Sequence, residues 1–398
     1  MIRPLSDEAG TSDRRRRVMV VGMVDSPHVA RWLASLTELP IDFVLFPSTP
    51  NRRIHPGVDS LVNGSSNATV RLSGLEARLS LVIWAIDLVM AGRLRARLLR
   101  KRIAKFSPNL IHALELQHAG YLVLRAGLQH GSGARPSLAL TNYGSDLFWF
   151  RQFPRHRDRL IALLQFADYY FAECERDVIL ARELGFAGRE MTVLPNAGAI
   201  PSDVLSAGPG PDSSDRHLIL IKGYTNFVGR AQDILREIGL RASEFEGWEI
   251  VVYSSTWRAQ LLCRRIKASN PALSLTALPK RHLSHDQMLA LFRKAAVYVG
   301  FSRSDGISTS FLEALACGAY PLQTSTACVD EWRAKGAIFS TLDVNDAAQA
   351  VDELRRLLSD PDALEDAASR NADVASRHLN ELKIARQIEQ DYRLVVGL

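Results

Sequence analysis

Two carboxylates, Asp305 and Glu313, stand with seven residues between them in the stretch GFSRSDGISTSFLEALACGAYPLQT, Gly300 to Thr324. The run Val297 to Phe301 before them is apolar and predicts a buried strand. Ser302 to Ser308 is a loop of small and polar residues. Ser310, with Glu313 three residues on, predicts a helix start with a capping box. Gly318 predicts the helix stop, and Ala319 to Gln323 the next strand. A loop running from a strand into a helix N-terminus offers backbone N–H groups and the positive end of a helix to an anion. Gly306, Ile307, Ser308, Thr309 and Ser310 are therefore the ligand-binding candidates, with Gly306 and Ser308 small enough for close approach. Carboxylates repel a phosphate, so Asp305 and Glu313 are expected to face hydroxyl groups, which a sugar supplies.

A second group of charges lies upstream. HLILIK, from His217, predicts a strand; Lys222-Gly223-Tyr224 follows it, and Gly229-Arg230 precedes a helix. A lysine and an arginine beside a strand–helix turn are suited to neutralising a diphosphate. Val18 to Met23, the helix from His28 to about Leu39, and Ile41 to Phe46 predict the strand–helix–strand start of a parallel doubly wound sheet. The loop after its first strand lies at the carboxyl edge, where such folds bind ligands, but it lacks a GxGxxG for a dinucleotide. Further strands are expected at Asn109 to Leu114, Ser137 to Thr141, Tyr169 to Ala172 and Met191 to Leu194. AIPSDVLSAGPGPDSSDR, ending at Arg216, is rich in breakers and predicts an interdomain linker.

The spacing of Asp305 and Glu313, with Ala314, Gly318 and Pro321 behind them, resembles the Glu-x7-Glu signature of retaining glycosyltransferases of family 4, with Asp305 where that family usually has Glu. Gly144-Ser145-Asp146 and the turn Pro195-Asn196-Ala197-Gly198 add to the resemblance. It implies an α/β chain of GT-B architecture: two Rossmann-like doubly wound parallel-sheet domains facing a cleft. It also implies that Asp305 meets hydroxyls of the donor sugar, that Glu313 meets the ribose, and that Lys222 and Arg230 grip the donor diphosphate. The family's usual order is Arg then Lys. His118, Gly144 and Asp146 become acceptor-side candidates, with His118 counted among the catalytic ones. The expected domains are a disordered basic N-terminus (1–17), an acceptor-side domain (18–200) rejoined by a last helix (378–398), a linker (201–216) and a donor-binding domain (217–377).

The implied reaction is a metal-independent, retaining transfer of a hexose-type sugar from a nucleoside diphosphate sugar to a glycan or lipid-linked acceptor, in cell-surface polysaccharide or glycolipid synthesis. The donor is a substrate, and no other cofactor is expected. The Asp-x-Asp at Asp360 lies between helices with no strand before it, so no metal site is expected there. An epimerase of GT-B fold and an inactive nucleotide-sugar-binding protein are the alternatives.

Composition is consistent with this. The 398 residues leave room for two cores, and a net charge of +6 suits an anionic ligand without demanding nucleic acid, for which no motif appears. The four cysteines are scattered and suggest a reducing compartment. No signal-peptide core is seen, and the most apolar stretch, Leu79 to Gly92, is too short to span a bilayer. A cytoplasmic protein is expected. Leu75 to Phe106 predicts a long helix broken near Gly92. Within it, Arg93, Arg97, Arg100 and Lys101 share one face. Two readings fit this face: contact with an anionic membrane, which would make the protein peripheral on the inner face through Arg93 to Lys105, or a solvated surface over a packed one.

Overall fold

The computed structural model describes residues 15–51, 53–127, 135–211, 215–280 and 282–398. Among these, seven strands form a first sheet: β1 (Arg16–Gly22), β2 (Ile41–Pro47), β3 (Thr69–Leu72), β4 (Leu110–Leu114), β5 (Ser137–Thr141), β6 (Tyr169–Phe171) and β7 (Arg189–Glu190). Six form a second: β8 (Leu218–Lys222), β9 (Glu249–Ser255), β10 (Ser274–Pro279), β11 (Ala295–Gly300), β12 (Tyr320–Thr324) and β13 (Ser340–Leu342). The orders are 3-2-1-4-5-6-7 and 10-9-8-11-12-13, and the strand pairings are parallel. Each order reverses beside its first strand, so each sheet has a switch point where a crevice opens at the carboxyl ends.

Alternation along the strands explains why both faces of each sheet are covered. Met19 and Val21 pack with Ala96, Leu99 and Ile103 of the helix Arg93–Phe106. Val18 and Val20, one residue out of phase, pack with Trp32 and Leu33 and with Ile384, Ile388 and Tyr392 of the last helix, Glu381–Val396. In the second sheet Ile219 and Ile221 meet Ile234 and Ile238 of the helix Ala231–Leu240. Leu218 and Leu220 meet Phe311, Leu312 and Leu315 of the helix Thr309–Cys317.

The last helix is fixed on the first domain by polar contacts as well. Tyr392 Oη lies 3.2 Å from His112 Nδ1, and Asp391 accepts from both Thr192 N and Thr192 Oγ1 at 3.0 Å. The chain crosses between domains at Ile200 and again at Asn380. The two crossings lie side by side, with Ile200 N donating to Leu379 O at 2.8 Å.

Several boundaries differ from expectation, among them the first helix, which is Pro27–Ala34 and stops short of Leu39. Arg16 and Arg17 belong to β1, and Arg15 pairs with Asp42 at 2.8 Å; the rest of the expected basic tail, residues 1–14, lies outside the described residues. β7 covers Arg189–Glu190, not Met191 to Leu194, because Met191 onward turns toward the last helix and the interdomain crossing. β3 and β13 are short strands that apolar patterning did not single out. The long helix has its expected break, at the left-handed pair Ala91 (φ 51) and Gly92 (φ 79), and a further, unexpected one at Leu79, giving Leu75–Arg78, Ser80–Val89 and Arg93–Phe106.

Candidate active site

The two sheets present their carboxyl edges to each other across a cavity of ≈ 230 Å³. The second domain contributes Lys222 and Tyr224 from the end of β8, Ser302, Ser304 and Asp305 from the loop after β11, and Thr309 from the start of the next helix. The first domain contributes His28, after β1, and Gly144 and Ser145, after β5.

Lys222 is the centre of charge. Its Nζ lies 3.4 Å from Asp305 Oδ2, 3.3 Å from Ser308 Oγ and 5.1 Å from the Tyr224 ring centroid. Burial, the largest influence on its pKa, opposes the charge. Asp305, Tyr298 and Tyr224 together outweigh it, so the pKa is raised and the ammonium stays protonated. Ser308 is the N-cap of the helix Thr309–Cys317, but its side chain makes no cap bond. Of the first-turn N–H groups, that of Phe311 donates to Ser308 O at 3.0 Å, and Thr309, the first residue of the helix, lines the cavity, so the helix start stands at the cavity end.

The cavity walls also carry polar atoms that lack a partner among the described residues. These are His28 Nδ1, Ser302 Oγ and Ser304 Oγ. Leaving such groups unmatched is unfavourable by about 1–3 kcal/mol each, and a polar ligand would satisfy them. His28 stacks on Tyr143 with centroids 5.3 Å apart. Burial, then the charge of Arg31, lowers its pKa to about 4, so its imidazole is neutral and able both to donate and to accept.

The domains touch along one side of the cavity. A Cβ on Gly306 would come within 3.1 Å of Gly144 N, a tight contact, so glycine at this position favours the close approach of the two loops. Gly144 itself has φ +53. Ser145 Oγ donates to Ser304 O at 3.3 Å. Arg176, at the start of the helix Glu175–Glu183, donates to Asp305 O (2.8 Å) and Thr326 O (2.9 Å) and stacks on Phe148. Glu331 from the second domain accepts from Glu175 N and Arg176 N, both at 3.1 Å.

The expected site residues separate into two sets. Lys222, Asp305, Thr309 and Gly144 line the cavity, with Ser308 in contact with Lys222 and Gly306 against Gly144. Ile307 and Ser310 are buried beneath them. Arg230 lies beside the cavity, since its neighbour Gly229 lines it, but its guanidinium is turned to Asp233 in the first turn of its own helix. Glu313 is buried and does not cap its helix. The helix begins at Thr309, which places Glu313 in the second turn, with Oε1 3.0 Å from His285 Nε2. The same nitrogen lies 3.4 Å from Arg31 Nη2, so Glu313 sits on the seam between domains.

Asp146 does not face the cavity. Its carboxylate accepts from Leu116 N (2.9 Å) and Tyr143 N (3.3 Å), tying together the loops after β4 and β5. Burial and the nearby Glu115 charge raise its pKa well above the usual carboxylate range. His118 is exposed on the turn that Glu115 holds by accepting from His118 N at 2.9 Å, and it is not a residue that lines this cavity. Burial, then Arg95, lowers its pKa.

His28 is the residue that sequence reasoning missed. Its signal was the polar step Asp25-Ser26-Pro27-His28 directly after β1, at the ligand-binding edge of the sheet. Cys174 and Asp177, three residues apart, meet the distant Cys328 at the seam, with ligand atoms within 4.8 Å of one another. Asp177 is already held by Arg176 (2.9 Å) and Asn142 (2.6 Å). Asp360 is an N-cap, accepting from Ala363 N at 3.0 Å.

No curated protein sequence matches this chain. Residues 230–390 match the family described as Glycosyl transferase-like. Among solved structures the chain is similar to the sucrose-phosphate synthase of Thermosynechococcus elongatus, with TM-score 0.70 and 14% identity over 96% of this chain and 100% of that one. It is similar to the UDP-forming α,α-trehalose-phosphate synthase of Burkholderia vietnamiensis, with TM-score 0.64 and 15% identity over 96% and 98% of the two chains. It is also similar to Anabaena HepE in complex with UDP and glucose, with TM-score 0.64 and 12% identity over 96% and 100%. At these identities the structures speak for the fold, and none of the matches singles out family 4. Residues 230–390 are thus glycosyl transferase-like in sequence, and the chain as a whole has the GT-B fold.

Proposed function

We propose that the protein transfers a hexose-type sugar, with retention of configuration, from a nucleoside diphosphate sugar to a glycan or lipid-linked acceptor, in cell-surface polysaccharide or glycolipid synthesis. It works on the cytoplasmic side, peripheral to an anionic membrane. The observation that carries this reading is the pairing of protonated Lys222 with Asp305 at the open start of the helix Thr309–Cys317. One cavity end thus offers positive charge to a diphosphate, and a carboxylate stands beside it for sugar hydroxyls. The bond from the anomeric carbon to the diphosphate breaks with its electron pair on the diphosphate. The acceptor oxygen bonds on the same face and gives up its proton to the departing diphosphate oxygen. Charge builds on the diphosphate as the sugar becomes oxocarbenium-like, so Lys222 and the helix amides bind most strongly at the transition state.

Arg230 joins this group on release from Asp233. Glu313 and His285 lie where a ribose would approach the seam. His28, neutral, offers hydrogen bonds to the sugar from the acceptor side. His118 and Gly144 stand on the same domain edge, for the acceptor. Lys222 supplies the charge for which other architectures use a divalent ion, and EDTA is expected to leave the rate unchanged. No cofactor beyond the donor is invoked.

Thermal-shift titration against UDP-, GDP- and ADP-sugars tests the reading. A donor at about 100 times its Kd adds roughly 2.7 kcal/mol to stability, a shift that is readily measured. No response to any of them would contradict it. Epimerised donor in the absence of acceptor would favour the epimerase. Binding without turnover would favour an inactive binding protein.

A further inference from the structure

The helix Ser80–Val89 is inside out. The residues it turns inward are polar: Ser80 and Asp87 are each 6% exposed. Ser80 Oγ donates to Asn51 O and accepts from Asn51 N, both at 3.0 Å. Asp87 Oδ1 accepts from Arg95 N at 3.1 Å and so caps the following helix. The outward residues are apolar. Leu81, Val82, Trp84, Ile86, Leu88 and Val89 are exposed, from 37% at Trp84 to 89% at Val89. A contiguous apolar face of this kind on a soluble domain marks a contact surface.

Charge beside the face identifies what covers it. The chain turns at Ala91 and Gly92 into the helix Arg93–Phe106, where Arg93, Arg97, Lys101 and Lys105 are exposed. Arg95 and Arg102 are spent inside the protein, on Pro47 O and Ser48 O and on Glu76. Arg100 is tied to Ala126 O at 2.7 Å. The surface is therefore apolar on one helix and cationic on the next, the chemistry of an anionic phospholipid boundary. Ten residues rise about 15 Å, half of a hydrocarbon core. Among the described residues no helix is long and apolar enough to cross a membrane.

We propose that the Ser80–Val89 helix lies in the plane of an anionic bilayer, its apolar face in the acyl boundary and the Arg93–Lys105 stripe on the headgroups. This deepens the peripheral-membrane part of the function proposed above. It also sets an orientation. Arg95 anchors the helix pair to Pro47 and Ser48, at the carboxyl end of β2. That edge of the first sheet also carries His28 and Gly144. Docking thus turns the acceptor side of the cleft toward the lipid and suits an acceptor carried in the bilayer.

Flotation of the whole protein with phosphatidylglycerol/phosphatidylcholine vesicles tests this. Wild type is expected to float with anionic vesicles, to partition less onto pure phosphatidylcholine, and to show Trp84-dependent quenching by brominated lipid, absent in Trp84→Phe. Val82→Ser/Leu88→Ser/Val89→Ser, at sites already exposed, is expected to partition at least about tenfold more weakly at low salt. Arg93→Gln/Arg97→Gln/Lys101→Gln is expected to lose the preference for anionic vesicles and the salt dependence. The proposal fails if wild type stays unbound, if the serine variant floats like wild type, or if wild type forms a concentration-dependent dimer that the serine variant abolishes. Thermal shift by a nucleotide sugar, run on the same proteins, keeps the two readings separate. Donor response without lipid binding sinks only the membrane contact; lipid binding without donor response sinks only the catalytic reading.

Discussion

Replacing Lys222 with alanine is expected to lower kcat for donor turnover about 10²-fold, with a smaller rise in KM, by analogy with removal of one oxyanion donor. Lys222 Nζ is the cation that meets both Asp305 and Ser308, at 3.4 and 3.3 Å. The contact strengthens as charge moves onto the leaving diphosphate, so its loss falls mainly on the transition state. The change also leaves the Asp305 carboxylate without its cation, next to the incoming diphosphate. Both effects act in the same direction. Lys222→Arg restores charge in a bulkier form and is expected to recover part of the rate. The fold is expected to survive, since Asp305 keeps access to water and to Gly306 N at 3.0 Å. A Lys222→Ala protein that turns over donor at the wild-type rate would remove Lys222 from the mechanism.

Replacing Arg176 with alanine is expected to give the largest loss of stability, about 3 kcal/mol. Breaking a buried pair by removing one partner costs roughly 3–5 kcal/mol, and Asn142 offsets part of this by continuing to donate to Asp177 Oδ2. Asp177 is fully buried, and Arg176 Nε is 2.9 Å from its Oδ1. Arg176 also holds Asp305 O and Thr326 O of the other domain, so the variant loosens the loop that carries Asp305. Urea denaturation of wild type, Arg176→Ala and Arg176→Met measures the effect. Methionine keeps packing on Phe148 and restores none of the charge. A loss below about 1 kcal/mol for Arg176→Ala would mean that Asn142 alone satisfies Asp177.

The Asp305 loop was legible because its elements are local. An apolar strand, small residues and a helix start follow one another in the chain, and the structure places Asp305 and Thr309 on the cavity wall. The helix starts two residues before the point that the capping-box pattern of Ser310 and Glu313 predicts. What decides is tertiary: Glu313 is drawn to His285, and Ser308 Oγ lies against Lys222. Asp146 matched a motif, and its carboxylate is consumed in joining two loops. Arg176 and the Cys174–Cys328 meeting depend on how two domains close on each other, which no local spacing encodes. The Ser80–Val89 helix shows a further limit. Periodicity separates an apolar face from a polar one, but it assumes that the apolar face points inward. Here the inward groups are Ser80 and Asp87, chosen by the backbone of Asn51 and Arg95.

Transfer with retention is expected at the Lys222–Asp305 end of the cleft. Real-time proton NMR of donor hydrolysis by the purified protein tests it most directly. For an α-linked nucleotide sugar, the first free sugar to appear is expected to be the α anomer, at a rate lowered about 10²-fold by Lys222→Ala and unchanged by EDTA. Initial release of the β anomer, or no consumption of any UDP-, GDP- or ADP-sugar, would contradict it.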